Sequence, residues 1–145
     1  MLAAIRLRRG NDVYIGNILK CRPDTPGQTA GNRKPTPEEM KTCIPYLHEQ
    51  MGAALASADL VLSRAGASIL GEYPLFGLPA VLAPYPYAWR YQKVNADYLA
   101  LRGAAVVVED HALKIELLET LSVLLDNPNK MKAMRASMFE LSHPR

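Results

Sequence analysis

One short segment of the sequence has residue types that could bind an anion. Residues 59–63 are predicted to form a buried strand, residues 65–68 are small, and a helix carrying the carboxylate Glu72 follows. The first backbone N–H groups of such a helix have no partner within it, and with the helix dipole they attract anions, most often phosphate. Gly66 has no Cβ, so a ligand can approach its backbone closely. The pattern therefore predicts a phosphate-binding bend here.

The elements that must position this bend alternate between strand and helix. They are predicted, in chain order, as an extended segment at 44–47, a helix at 48–57, a strand at 59–63, a helix at 68–76, a strand at 80–83, a helix at 91–101, a strand at 104–108, and helices at 112–125 and 130–141. The strands are apolar throughout, which is typical of a parallel sheet covered by helices on both faces. Ligands of such α/β folds bind beyond the carboxyl ends of the strands. The bend at 64–68 and the loop at 84–92 are therefore expected on the same edge.

The N-terminal part of the chain does not share this regularity. Residues 1–20 have poor periodicity and suit either a short strand or a helix, and residues 21–37 contain four prolines and two glycines, which is typical of a linker. We therefore expect a separate segment at 1–43 and a domain at 44–145. Thr36-Pro-Glu-Glu predicts a helix start, because it offers a threonine cap, a proline at the first helical position and a glutamate three residues after the threonine.

Length and composition indicate a globular chain of one domain. Its 145 residues suffice for a real core, and its longest apolar runs are much shorter than a membrane span. The first ten residues place their charges after the apolar ones, the reverse of a signal peptide. Cys21 and Cys43 are 22 positions apart. This spacing suits neither a metal site nor a disulfide framework, so a reducing compartment is expected.

The charge distribution argues against nucleic-acid binding. The net charge is +3, made up of +4 in residues 1–45 and −1 in residues 46–145. The basic excess therefore belongs to the N-terminal segment, where it is not interleaved with aromatic residues as a nucleic-acid surface would be.

Four motifs in order resemble the donor-binding half of the MurG-type glycosyltransferases. They are Asp59-Leu-Val-Leu-Ser-Arg-Ala-Gly-Ala-Ser followed by Glu72, Gly77-Leu-Pro-Ala-Val-Leu followed by Pro84, Gln92 with Asn95-Ala, and Gly103-Ala-Ala. The resemblance covers residues 44–145. It implies an α/β fold with a Rossmann-like parallel sheet flanked by helices, which is the C-terminal half of a two-domain GT-B transferase and here incomplete. The activity it implies is transfer of GlcNAc from UDP-GlcNAc to the undecaprenyl-diphospho-muramoyl-pentapeptide in peptidoglycan (lipid II) synthesis.

The resemblance also implies roles for residues of the bend and of the helix at 91–101. It places the ribose hydroxyls on the carboxylate of Glu72 and the donor-sugar hydroxyls on Gln92, whose amide can both donate and accept hydrogen bonds. It places the diphosphate and the sugar on the backbone amides of Gly66, Ala67 and Ser68.

The resemblance implies a role for three residues before the bend, and the position of Arg64 allows two others. Tyr46, Leu47 and His48 fall where the family has a loop whose backbone groups read the uracil edge. Arg64 is either a second phosphate partner or a structural arginine paired with Asp59 or a carbonyl, and the sequence leaves these alternatives open.

Asn95 and the aromatic residues of the loop before Gln92 each have two possible roles. Asn95 lies one helical turn after Gln92 and could orient Gln92 or the loop, with a structural role favoured. Tyr85, Tyr87 and Trp89 could form a platform for a sugar, although packing at a domain interface is the favoured interpretation.

The family resemblance does not extend to the domain that binds the acceptor. No counterpart is found for the N-terminal domain that binds the lipid acceptor, touches the membrane and supplies the general base, so the chain is expected to be a fragment and no catalytic residue is assigned. No metal or other cofactor is expected. The expected partners are UDP-GlcNAc and, through a missing domain or a partner protein, the lipid-linked acceptor. The expected location is the cytoplasm, at the inner face of the plasma membrane for the complete enzyme.

Two other functions remain open. The chain could be a soluble nucleotide-sugar subunit that needs a separate membrane partner, or a non-catalytic Rossmann-like interaction module with an empty site. A dinucleotide-dependent oxidoreductase is disfavoured, because the sequence has no Gly-x-Gly-x-x-Gly and the acidic residue follows Gly66 by six positions rather than about twenty.

Overall fold

The computed structural model describes residues 36–87 and 91–142. Within them it contains α1 (Pro37–Ser57), β1 (Val61–Ser63), α2 (Ile69–Phe76), β2 (Ala80–Leu82), α3 (Tyr91–Ala100), β3 (Ala105–Val107), a 3-10 turn (Asp110–Ala112), α4 (Leu113–Leu125) and α5 (Pro128–Glu140). The strand or helix expected at 1–20, the linker up to residue 35, and Trp89 lie outside the described residues.

The described strands form one parallel sheet in the order β1-β2-β3. Val61 lies opposite Ala80, and Ala80 lies opposite Ala105. Helices α2 and α3 make the two crossovers, so the chain moves in one direction across the sheet. The predicted α/β fold with a parallel sheet is confirmed.

The core lies on both faces of this sheet. On one face Ala80 and Leu82 of β2 belong to a buried cluster with side chains of α2 and α3, whereas Val81 belongs to a second cluster with α4. Helix α5 supplies Met138 to the first cluster and Met134 to the second. Successive side chains of β2 thus point to opposite faces of the sheet, and both faces are covered. This explains why the strand is apolar throughout.

Helix α1 differs from its prediction. Its start is confirmed: the Thr36 hydroxyl accepts from the Glu39 amide at 3.2 Å, and the Glu39 carboxylate accepts from the Thr36 amide at 2.8 Å. The extended segment expected at 44–47 is wrong, because α1 runs through Pro45 to Ser57. A proline inside a helix removes one backbone hydrogen bond without necessarily ending it, and the strong cap favours helix on its N-terminal side. The boundary predicted between residues 43 and 44 falls inside this helix.

Candidate functional site

The bend between β1 and α2 has its carbonyl groups occupied and its amide groups free. Each carbonyl of residues 64–68 accepts a hydrogen bond from within the chain; the donors are the Ser63 hydroxyl, the Asn95 side-chain amide, and the backbone amides of Ile69, Leu70, Gly71 and Glu72. By contrast, the backbone N–H groups of Gly66, Ala67 and Ser68 donate to no acceptor within residues 36–87 and 91–142. This is the pattern of donors that an anion can use at a helix start.

Space around Gly66 is open. A Cβ placed on it would meet no heavy atom within 4 Å, and its φ does not lie in the left-handed region. The backbone of the bend therefore does not require glycine at this position, and the free volume beside the bend is available to a ligand.

Glu72 lies in the first turn of α2, next to the free amides in the chain. Its side chain is exposed and has no hydrogen bond or ion pair with any other described residue. A carboxylate that structural contacts do not occupy can accept two hydrogen bonds from a vicinal diol, so the chemistry assigned to Glu72 is available to it.

Gln92 is held by the loop that follows β2. Its side-chain oxygen accepts a hydrogen bond from the Tyr85 backbone amide at 2.8 Å, and its NH2 group has no partner in the described part of the chain. The contact fixes the direction of the amide plane and leaves two donors that could meet hydroxyl oxygens.

Arg64 connects the segments that follow all three strands. Its guanidinium donates to the Ala83 carbonyl at 3.2 Å, forms an ion pair with Asp110, and lies 5.4 Å from the centre of the Tyr85 ring. Of the structural partners considered in the sequence analysis, a carbonyl is confirmed, whereas Asp59 instead contacts Arg135 at 3.4 Å. Arg64, the Tyr85 loop and Asp110 are thus assembled at the carboxyl edge of the sheet.

The residues of the expected uracil loop form part of a helix in the structure. Tyr46, Leu47 and His48 lie in the middle of α1, where backbone amides and carbonyls are used within the helix. The expectation that they form a loop is wrong, since the chain stays helical through Pro45. Backbone groups at these three positions cannot read a base, and only the side chains remain available.

Sequence reasoning missed three supports of the bend. The Tyr73 hydroxyl donates to the Ser63 hydroxyl at 2.8 Å, which donates in turn to the Arg64 carbonyl at 3.0 Å. Asp110 is the third support, through its pair with Arg64. The apolar character of Tyr73 predicts a core position in α2. The spacing of residues along the sequence predicts neither its hydrogen bond with Ser63 nor the ion pair of Asp110 with Arg64.

Two titratable groups near the edge have shifted pKa values. Burial raises the pKa of Tyr73, the hydrogen bond with Ser63 lowers it in part, and the charge of Glu72 raises it again. The pKa of Lys93 is raised by its hydrogen bonds to Asp97 and then to Glu109, at 3.0 and 3.3 Å. Lys93 is exposed and already shared by two carboxylates, so it is a poor additional partner for an anion.

The chemistry available at this edge is binding of an anionic, hydroxyl-bearing ligand. Free amides and a guanidinium suit a phosphate group, and an unoccupied carboxylate and amide suit hydroxyls. Within residues 36–87 and 91–142, no group of three His, Cys, Asp or Glu side chains could hold a metal ion. No helix among these residues is long and apolar enough to cross a membrane.

Fold and site together define a parallel α/β domain with free backbone amides and a guanidinium beyond the ends of its strands, and comparison with known proteins assigns its family. The profile of the glycosyltransferase family 28 C-terminal domain matches residues 20–144. The chain therefore belongs to this family of glycosyltransferase domains. The match includes residues 20–43, which were expected to lie outside the domain.

The relatives are UDP-N-acetylglucosamine–N-acetylmuramyl-(pentapeptide) pyrophosphoryl-undecaprenol N-acetylglucosamine transferases. The Roseiflexus sp. (strain RS-1) protein is 42% identical over 98% of this chain, and the Moorella thermoacetica protein is 47% identical over 71% of it. The crystal structure of Acinetobacter baumannii MurG is similar with a TM-score of 0.53 and 31% identity, over 63% of this chain and 26% of that one. The chain spans 30% and 28% of the length of the two curated relatives.

Proposed function

We propose that this domain binds UDP-GlcNAc as the donor half of a MurG-type GlcNAc transferase. The observation that carries the proposal is the bend at residues 66–68, where three neighbouring backbone amides are free while every adjoining carbonyl is occupied. Its location in a family 28 domain supports a nucleotide sugar as the ligand rather than a simple phosphate.

Each part of the donor except the uracil ring has a partner in this proposal. The amides of Gly66, Ala67 and Ser68 bind the diphosphate, with Arg64 adding positive charge. Glu72 binds the ribose hydroxyls. Gln92 directs its free NH2 group at the sugar hydroxyls.

The proposed contribution to the reaction is stabilisation of the leaving group. When the glycosidic bond to UDP breaks, negative charge builds up on the diphosphate, and fixed amide donors stabilise this charge without rearrangement. The acceptor hydroxyl also needs a general base, and we assign that base, together with the lipid acceptor, to the remaining part of the full-length relatives or to a partner protein. The domain by itself then binds the donor but does not transfer the sugar.

The proposed place of action follows from the two substrates. The relatives' names describe an undecaprenol-linked acceptor, a lipid, and the donor is a cytoplasmic nucleotide sugar. The complete enzyme therefore works at the cytoplasmic face of the plasma membrane.

Calorimetric titration with UDP and 2′-deoxy-UDP tests the proposed ribose contact of Glu72. The wild-type chain should bind UDP more tightly than 2′-deoxy-UDP. Glu72→Gln should bind UDP about ten- to a hundredfold more weakly than wild type does, because a hydrogen bond to a charged group contributes about 1.5–3 kcal/mol. The variant should also lose the preference over 2′-deoxy-UDP, since the two changes remove the same interaction. Glu119→Gln, an exposed change on α4, should behave as wild type. Equal UDP affinity in wild type and Glu72→Gln would refute the ribose assignment, and absence of any UDP binding would favour an interaction module.

A further inference from the structure

The peptide unit between Ala65 and Gly66 is anchored by a side chain from another helix. The Asn95 side-chain NH2 group donates to the Ala65 carbonyl at 3.1 Å, across 30 positions of sequence. Ala65 is completely buried and Asn95 is half-buried, in the first half of α3. A hydrogen bond in such surroundings is protected from competition with water and holds its carbonyl firmly.

Anchoring this carbonyl also sets the direction of an amide. The peptide group is planar and trans, so the Ala65 carbonyl and the Gly66 N–H point in opposite directions. The bond from Asn95 therefore turns the Gly66 N–H away from α3. That N–H is one of the donors without an acceptor in the described residues, and the space beside Gly66 is open.

The preceding peptide unit is anchored in a similar way from α2. The Ser63 hydroxyl donates to the Arg64 carbonyl, and the Tyr73 hydroxyl donates to Ser63. Two successive peptide units are thus held by side chains at the point where the strand pairing of β1 ends. An amide aimed in advance loses no free energy to reorientation when an anion arrives, which is the advantage of a preorganised site.

We infer that Asn95 is a positioning residue for the diphosphate, acting through the Ala65–Gly66 peptide rather than by touching the ligand. The inference rests on the proposed function, because it names what keeps the proposed phosphate donor in place. It assigns Asn95 a stronger role than packing of α3, since removal of its side-chain donor lets the peptide plane rotate and the Gly66 N–H leave its direction.

Titrations of the full chain with uridine, UDP and UDP-GlcNAc, followed by NMR, separate positioning from other roles. Asn95→Ala should leave uridine affinity within about twofold, but should weaken UDP and UDP-GlcNAc by a similar factor of about ten, because only the diphosphate meets the Gly66 amide. Val94→Ala, an exposed change on the same helix, should bind all three ligands as wild type does. Asn95→Asp keeps the side chain's size but removes the donor, and should lose at least as much UDP affinity.

Each result bears on the inference separately from the proposed function. If Asn95→Ala loses affinity for UDP-GlcNAc alone, Asn95 touches the sugar. If it loses affinity for uridine to the same extent, the substitution damages the site in general. Either result overturns the inference that Asn95 positions the Gly66 amide. Unchanged UDP binding in Asn95→Ala overturns it while leaving the proposed function intact. If wild type binds UDP no better than uridine, the proposed function fails. The anchoring by Asn95 can still be tested without ligand, because the amide resonance of Gly66 should then move strongly in Asn95→Ala. An unmoved resonance overturns the anchoring.

Discussion

The contacts of Arg64 decide how much positive charge the candidate site presents. Its guanidinium side chain is 47% exposed, and its partner Asp110 neutralises it in the absence of ligand. Ion pairs this exposed contribute about 0–1 kcal/mol to stability. The pair therefore matters more for the electrostatic potential beside the bend than for the fold.

Replacement of Asp110 should strengthen binding of an anion. In Asp110→Asn the charge of Arg64 is no longer compensated, so UDP affinity should rise about two- to fivefold in low salt, an effect of less than about 1 kcal/mol. Screening should remove this gain in affinity near 1 M salt. Stability should change by less than about 1 kcal/mol. Isothermal titration at two salt concentrations measures this, with Asp126→Asn at the end of α4 as the control.

A fall in UDP affinity would contradict this account. It would mean that Asp110 is needed to keep Arg64 in a binding conformation. The choice between these outcomes was not open to sequence analysis, because Arg64 and Asp110 are 46 positions apart and meet only once three parallel strands align their ends. The bend itself was predictable, since strand, small residues and helix start are contiguous.

At the scale of elements, local signals predicted the sheet better than the first helix. β2 was predicted at 80–83 and is observed at Ala80–Leu82, because a continuous apolar run has one good solution, a strand with helices on both faces. The helix α1 was divided in the prediction, because Pro45 normally argues against a helix interior. The capping box at Thr36 and the favourable residues around Pro45 outweigh the one missing hydrogen bond.

The link between α2 and β1 predicts a specific dependence of stability on pH. Because burial raises the pKa of Tyr73, the folded state keeps its proton when the unfolded state loses it. The resulting stability is fully present below about pH 10, the ordinary tyrosine value, and is lost as pH rises from there through the folded-state pKa. Tyr73→Phe should abolish this part of the decline and lower the neutral-pH unfolding free energy by about 1 kcal/mol through the lost hydrogen bond.

Urea unfolding between pH 7 and pH 11 measures both effects. Ser63→Ala is the matched control, since it breaks the same hydrogen bond but leaves the buried phenol in place. Because it also removes the donor to the Arg64 carbonyl, it should lose at least as much unfolding free energy at neutral pH, and it should keep the decline above pH 10. An identical alkaline decline in Tyr73→Phe and wild type would show that Tyr73 does not carry it.

At the scale of the whole molecule, our proposal makes the described residues one side of a binding site. The free amides, Glu72 and Gln92 lie at or beyond the carboxyl edge of one sheet, and the chain spans 30% of the length of its Roseiflexus relative. The family was predictable because four motifs in order resemble it, and each of them lies where a strand or a helix begins or ends. The remaining part of the full-length relatives leaves no such local signal in this sequence.

The most direct measurement for the whole account is titration of UDP-GlcNAc into the full chain carrying Gly66→Ala. A Cβ here meets no protein atom and requires no unusual φ, so the unfolding free energy should change by less than about 1 kcal/mol. The added methyl group should nevertheless obstruct the diphosphate and weaken UDP-GlcNAc at least about tenfold, whereas Gly52→Ala in α1, where space is also open, should leave it unchanged. Wild-type affinity in a folded Gly66→Ala variant would contradict the claim that the donor diphosphate binds at this bend.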